Sequence, residues 1–226
     1  MYNLIKTLVC VMALLLPTVV LAADFQDDFN DEFLSDQWEI MNPNADSMIV
    51  EGGHLQILTD VQKDSYFNPV NLILLKQELK GEYEITLKMK YSRTDANSNW
   101  LLNQNAGLML YKDKQNGIVF TASNNWGSGT WHTDAVHYAK MKNGAWLPNY
   151  MANFAGAVKE REVSLRIQRI KRKFIASYLD NKGQWKTIGE YTELRPGYRI
   201  AIFASRSSGA HEDLEKFDSF SLKEIK

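Results

Sequence analysis

"EYEITLKMKY", residues 82 to 91, decides the fold. Tyr83, Ile85, Leu87, Met89 and Tyr91 fall on one side of an extended chain, with Glu82, Glu84, Thr86, Lys88 and Lys90 on the other. Successive side chains of a strand point to opposite faces, so strict alternation marks a strand with one buried face. "REVSLRIQRI" (161–170) repeats the pattern, setting Val163, Leu165 and Ile167 against Ser164, Arg166 and Gln168. Further strands are expected at 54–59, 71–79, 106–112, 117–123, 173–179, 184–191, 198–205 and 216–225. Gly52-Gly53, Lys80-Gly81, "KDKQNG" (112–117), "DNKG" (180–183) and "RPG" (195–197) supply the turn chemistry between them. The basic run Arg169 to Lys173 reads as a hairpin turn rather than a nucleic-acid surface. No capped amphipathic helix of ordinary length stands out. Many short strands, each with one apolar face, require a second sheet to cover the first. The expected fold is therefore all-β: one domain, residues 24–226, built as a two-sheet antiparallel β-sandwich of jelly-roll type.

The first residues are set apart. "MYNLIKTLVCVMALLLPTVVLAAD" has one lysine, Lys6, then an apolar run from Leu8 to Leu16, then small residues ending at Ala22-Ala23. That is the layout of a signal peptide over residues 1–23, and it implies a secreted or periplasmic protein. A membrane span wants about 20 apolar residues, and Pro17 interrupts this run. The only cysteine, Cys10, lies inside the leader, so the exported chain has no disulfide and is held by burial alone. Losing Lys6 takes the net charge from −1 to −2, which argues against a nucleic-acid partner.

One stretch breaks the rhythm of strands. "NNWGSGTWHTDAVHYAKMKNGAWLPNY" (124–150) mixes tryptophan, tyrosine and histidine with glycine and asparagine, and reads as a long aromatic-rich insertion at about 124–155. Long loops on a rigid scaffold concentrate functional residues. Sugar rings have apolar faces edged with hydroxyls, so a sugar site pairs aromatic platforms with polar hydrogen-bonders. Trp100, Trp126, Trp131, Tyr138, Trp146 and Tyr150 are the candidate platforms. His132 and Asp134 are candidate polar partners, together with Asn97, Asn99, Asn103, Asn105, Asn124 and Asn125. Trp38 and Trp185, at strand-end phrases, are expected in the core.

The order of phrases also carries a resemblance. "DDFND" (27–31), "QWEI" (37–40), "IVEGGHLQIL" (49–58), "AGLMLYKDKQNG" (106–117), "SYLDNKGQW" (177–185) and "FDSF" (217–220) resemble the concanavalin A-like lectin/glucanase superfamily. Within it the chain is most similar to the β-sandwich modules attached to some β-xylosidases, and to small secreted bacterial proteins. The resemblance implies a lectin-like sandwich, and a structural calcium between first and last strands with Asp28 and Asp218 as ligands. It also provides a test for enzyme activity. The glucanases of the superfamily carry an acidic cluster alternating on one strand, and no such cluster is present in this sequence. Glu82 and Glu84 are flanked by lysines, while "HEDLEKFD" (211–218) puts Glu212 and Asp213 in a turn and Glu215 at the start of the last strand. His132 and His137 lie near Asp134, but their spacing fixes no activating partner.

Three functional readings follow. The first is a secreted, non-catalytic carbohydrate-binding protein whose partner is an oligo- or polysaccharide. The second is a glycoside hydrolase or polysaccharide lyase with an unfamiliar site in the insertion. The third is an interaction protein of the cell envelope, using the same aromatics against a protein.

Overall fold

The computed structural model describes residues 24–60, 66–92, 104–124, 134–154, 160–194, 197–206 and 212–225. In chain order the strands begin with β1 (Phe25–Asp27), β2 (Trp38–Met41), β3 (Met48–Glu51), β4 (His54–Leu58), β5 (Leu72–Leu75), β6 (Tyr83–Ser92), β7 (Gln104–Asp113) and β8 (Asn116–Asn124). They continue with β9 (Asp134–Lys142), β10 (Ala145–Trp146), β11 (Tyr150–Asn153), β12 (Glu160–Ile170), β13 (Lys173–Leu179), β14 (Trp185–Thr192), β15 (Arg199–Arg206) and β16 (Leu214–Glu224). The first sheet runs β14-β13-β12-β6-β16-β4-β3, with β1 also on β16; the second runs β10-β9-β8-β7-β15-β5-β2, with β11 also on β9. All strand pairs are antiparallel. This is the two-sheet antiparallel β-sandwich that the alternation required.

The alternating residues do what their pattern dictates. Ile85, Leu87 and Met89 of β6 and Val163, Leu165 and Ile167 of β12 face inward from the first sheet. Leu108, Leu110, Ile118, Phe120, Ile200 and Ile202 meet them from the second. Each such side chain contributes roughly 1.5–3 kcal/mol when buried, which is how a chain without disulfides is held. Trp38 joins this core with its indole N–H donating to Asp27 Oδ2 at 2.8 Å. The basic run is the β12–β13 hairpin, with Lys171 at positive φ.

The second sheet is apolar on both faces. Leu72, Leu74, Met109, Val119, Ala139, Met141, Ala201 and Phe203 form a second cluster on its outer face, covered by Tyr66, Phe67 and Trp146. This explains the unbroken apolar runs "LILL" and "IAIFA", which strands buried on both sides require. Gly117 makes the cover possible, because a Cβ there would lie 2.2 Å from the Phe67 ring.

Two expectations are corrected. The stretch read as a single insertion at 124–155 is, in its described part, largely strand: β9 pairs with β8 from Asp134 to Met141, and β10 and β11 cover its other edge. Its polar and aromatic composition hid the alternation of Val136 and Tyr138 toward the core. Trp185 is not a core residue. It lies half-buried beneath the guanidinium of Arg166, 4.3 Å from the ring, beside the outward-facing Leu179.

Candidate functional site at the polar end of the sandwich

Strands β4, β6, β8, β11 and β15 end, and β7, β9, β12 and β16 begin, at one end of the molecule. Ser92 pairs there with Glu160, Leu58 with Leu214, Arg206 with Gln104, Asn124 with Asp134, and Asn153 with Ala135. The two sheets meet at this end, where Gln104 Nε2 donates to Asp213 Oδ2 across the gap. Inward positions that elsewhere carry Leu, Ile or Phe carry Thr59, Gln104, Asp134, Arg161, Asp213 and Glu215 here. A polar layer closes the core.

Each member of the layer is committed to a neighbour. Asp134, buried at the start of β9, accepts from Arg161 Nε at 3.3 Å, and that guanidinium lies 4.7 Å from the Phe154 ring. Thr59 ties the segment before β16 down twice: its N–H donates to the Asp213 carbonyl at 2.8 Å, and its Oγ1 accepts from the Asp213 N–H at 2.9 Å. Glu215 is 0% exposed; its Oε2 accepts the Ser92 N–H at 3.0 Å and its Oε1 has no hydrogen-bond partner among the described residues. Burial pushes the Glu215 carboxyl well above the ordinary carboxylate range, and the negative Asp213 and Asp134 add to this against the Ser92 hydrogen bond. Burial thus favours the protonated form of Glu215, since one charge fewer among three buried acids costs less.

The candidate residues are distributed over several surfaces. Asp134 belongs to the polar layer. Tyr138 is removed from the list of platforms: its ring is in the core and its hydroxyl donates to the Phe174 carbonyl at 3.0 Å. A strand facing inward leaves no surface for a sugar to stack on. Tyr150, 36% exposed, lies on the lateral edge, stacked at 6.2 Å on Tyr138 with its hydroxyl donating to the Glu190 carbonyl. Trp146, 47% exposed, is at the far end of β9, edge-on to Tyr66 at 5.2 Å. Asp134, Trp146 and Tyr150 thus share no single surface. His137 is half-buried, and burial lowers its pKa, leaving it neutral at pH 7. Trp100, Trp126, Trp131 and His132, with Asn97, Asn99, Asn103 and Asn125, lie outside the described residues, in connections between strands that end and begin at the polar end.

The calcium expectation rests on two separately engaged carboxylates. Asp28 accepts the Asn30 N–H at 3.3 Å, and Asp218, half exposed at the β16 bulge, lies 3.4 Å from His54 Nε2. Among the described residues no group of three or more His, Cys, Asp or Glu is placed to hold a metal ion. Calcium sites gather six to eight oxygens, so Asp28 and Asp218 would need backbone carbonyls and water to complete one.

Glu215, Asp213 and Arg161 were not singled out as a group from sequence. The available signal was parity: Asp213, Glu215 and Phe217 alternate, so two acids share the inward side of the last strand.

With this geometry in place, the comparisons with known proteins are informative. Residues 26–223 match the family described as the β-xylosidase C-terminal concanavalin A-like domain. The chain belongs to this family. No curated protein matches. Among solved structures, the domain is similar to a GH43 protein from Bacillus licheniformis, with a TM-score of 0.72, 16% identity, 88% of this chain covered and 39% of that one. It is also similar to a Bacteroides ovatus GH43 protein from a xyloglucan locus, at TM-score 0.70 and 15% identity, again covering 88% and 39%. A prokaryotic β-1,3-1,4-glucanase (lichenase) from a mouse hindgut metagenome aligns over 89% of this chain and 99% of its own, at TM-score 0.57 and 12% identity. The chain spans about two fifths of the two GH43 proteins, and identities this low speak for the fold.

Proposed function

We propose that this β-xylosidase-type concanavalin A-like domain is an exported module that binds carbohydrate without cleaving it. The observation that carries the non-cleaving half is the commitment of the buried acids. Asp134 is held by Arg161, Asp213 by Gln104, and Glu215 by the Ser92 N–H. Glycoside hydrolysis needs two carboxyl groups on either side of the scissile bond, and these three face the interior. The binding half is supported by the family and by the sequence of two connecting segments. "DANSNWLLNQN" (95–105) and "NNWGSGTWH" (124–132) lie in sequence mostly between β6 and β7 and between β8 and β9, and combine tryptophan with amides. Export is supported by the leader at 1–23.

The test uses the chain from Asp24 onward on an array of plant and microbial polysaccharides, with calorimetry on each hit. Saturable binding with no release of reducing ends or unsaturated products is expected. Product release that disappears in His132→Ala or His137→Ala would establish cleavage instead. Failure to bind any polysaccharide would end the carbohydrate reading.

A further inference from the structure

The opposite end of the sandwich is built differently. There the β7–β8 turn, the end of β9 and the segment before β15 surround a polar pocket of about 300 Å³, at the small end of ligand sites. Its floor is a chain of three linked groups. Lys140, with its side chain only 8% exposed, contacts Glu193 Oε2 at 2.7 Å, and the Tyr198 hydroxyl donates to the same oxygen at 3.2 Å. Burial, and then the charge of Glu193, raises the pKa of Tyr198, so its hydroxyl keeps its proton. At the rim are Lys112 and Lys142, both exposed, with Asn116 beside them.

The charges in this pocket do not cancel. Glu193 is matched by Lys140. Asp113, the other acid, has its carboxylate engaged by the Asn116 side-chain amide at 2.9 and 3.1 Å and by the Gln115 N–H at 2.8 Å. Lys112 acts on the Asp113 carboxylate, which leaves Lys142 as the lysine of the lining without a matching acid in the pocket. Three ammonium groups against two carboxylates thus leave one positive charge over a pocket whose interior offers a carboxylate, a phenol and an amide. An anion alone would use the lysines and leave Glu193 facing it. A sugar acid uses both parts, its carboxylate on the lysines and its hydroxyls on Glu193, Asn116 and Tyr198.

We propose that this pocket, formed by Lys112, Lys142, Asn116, Glu193 and Tyr198, binds a uronic-acid unit of an oligosaccharide. The proposal rests on the carbohydrate reading above and names the sugar class and its place, at the end away from the buried acids.

The experiment titrates the chain from Asp24 onward with an oligogalacturonate and with the same oligosaccharide after its carboxylates are reduced to hydroxymethyl groups. Sodium acetate and inorganic phosphate serve as competitors. Binding of the oligouronate is expected to weaken about tenfold in the double variant Lys112→Gln, Lys142→Gln, with an unchanged melting temperature because both side chains are exposed. The reduced oligosaccharide should bind more weakly than the oligouronate to the wild type, and equally to both proteins. Equal binding of the acidic and reduced forms, or an unaffected double variant, overturns the proposal. Displacement by acetate or phosphate at concentrations equal to the oligouronate would make this a plain anion site and also overturns it. If neutral polysaccharides bind and oligouronates do not, this inference fails alone; if no glycan binds, the carbohydrate reading fails with it.

Discussion

Replacing Glu215 by glutamine tests the account of the polar layer most directly. In the folded protein this carboxyl is fully buried, accepts one N–H from Ser92, and faces Asp213 and Asp134. Its folded pKa is raised above the ordinary 4.5. The folded state therefore holds a proton that the unfolded state releases above that value. Stability from this group is complete below the unfolded pKa and is lost as pH rises through the folded one. Within that window the loss is about 1.4 kcal/mol per pH unit for one proton. Glutamine keeps an acceptor for Ser92, adds a donor toward the two aspartates, and does not titrate. From pH 5 to pH 7 the variant should thus gain up to about 2.7 kcal/mol on the wild type. In a domain of this size that corresponds to about 5–10 °C in melting temperature. Urea melts of both proteins at pH 5, 6, 7 and 8 give the difference directly, with other titrations cancelling. The difference should rise linearly and level off once the folded pKa is passed. A difference that is flat across the whole range would mean that Glu215 titrates as a solvated carboxyl, and the account of a neutral buried acid would be wrong.

Four further outcomes are expected. Gly189→Ala should cost about 1–3 kcal/mol by overpacking, because a Cβ at this site would lie 2.2 Å from the Tyr150 ring; Tyr150→Ala in the same chain should restore much of the loss, and urea melts showing no cost in the single variant would refute the contact. Tyr138→Phe should lose about 1 kcal/mol through its bond to the Phe174 carbonyl and leave glycan binding unchanged; a tenfold drop in affinity at unchanged stability would return Tyr138 to the binding surface. Trp100→Ala, Trp126→Ala and Trp131→Ala should weaken polysaccharide binding several-fold with little effect on melting, whereas Trp38→Ala should cost about 3–5 kcal/mol of stability. If all three of the former unfold the protein, those rings are packing. Calcium held by Asp28 and Asp218 would make a chelator lower the melting temperature, an effect that Asp218→Ala removes; identical melts with and without chelator reject the metal.

Much of the architecture was legible in the sequence because strand alternation is local. Tyr83 to Tyr91 and Val163 to Ile167 announce their buried side within ten residues, and a sheet with one apolar face demands a second. Burial on both sides of the second sheet, by contrast, was seen only in the structure, where Tyr66, Phe67 and Trp146 cover its outer face. The site was not legible in the same way. Asp134, Arg161 and Glu215 come from β9, β12 and β16, and only antiparallel pairing brings those strand ends to one place. In sequence Asp134 looked like one polar residue of an aromatic loop, and Tyr138 and Tyr150 looked like its platforms. Sheet register turned Tyr138 inward and carried Trp146 to the other end of β9. Likewise Lys140, Glu193 and Tyr198 acquire a common pocket only when the end of β14, in the first sheet, meets β9 and the start of β15, in the second. A side chain's face is set by its own strand's two-residue period, whereas its neighbours are set by contacts far along the chain, so the sequence by itself determined the sandwich and the tertiary structure decided which charges meet.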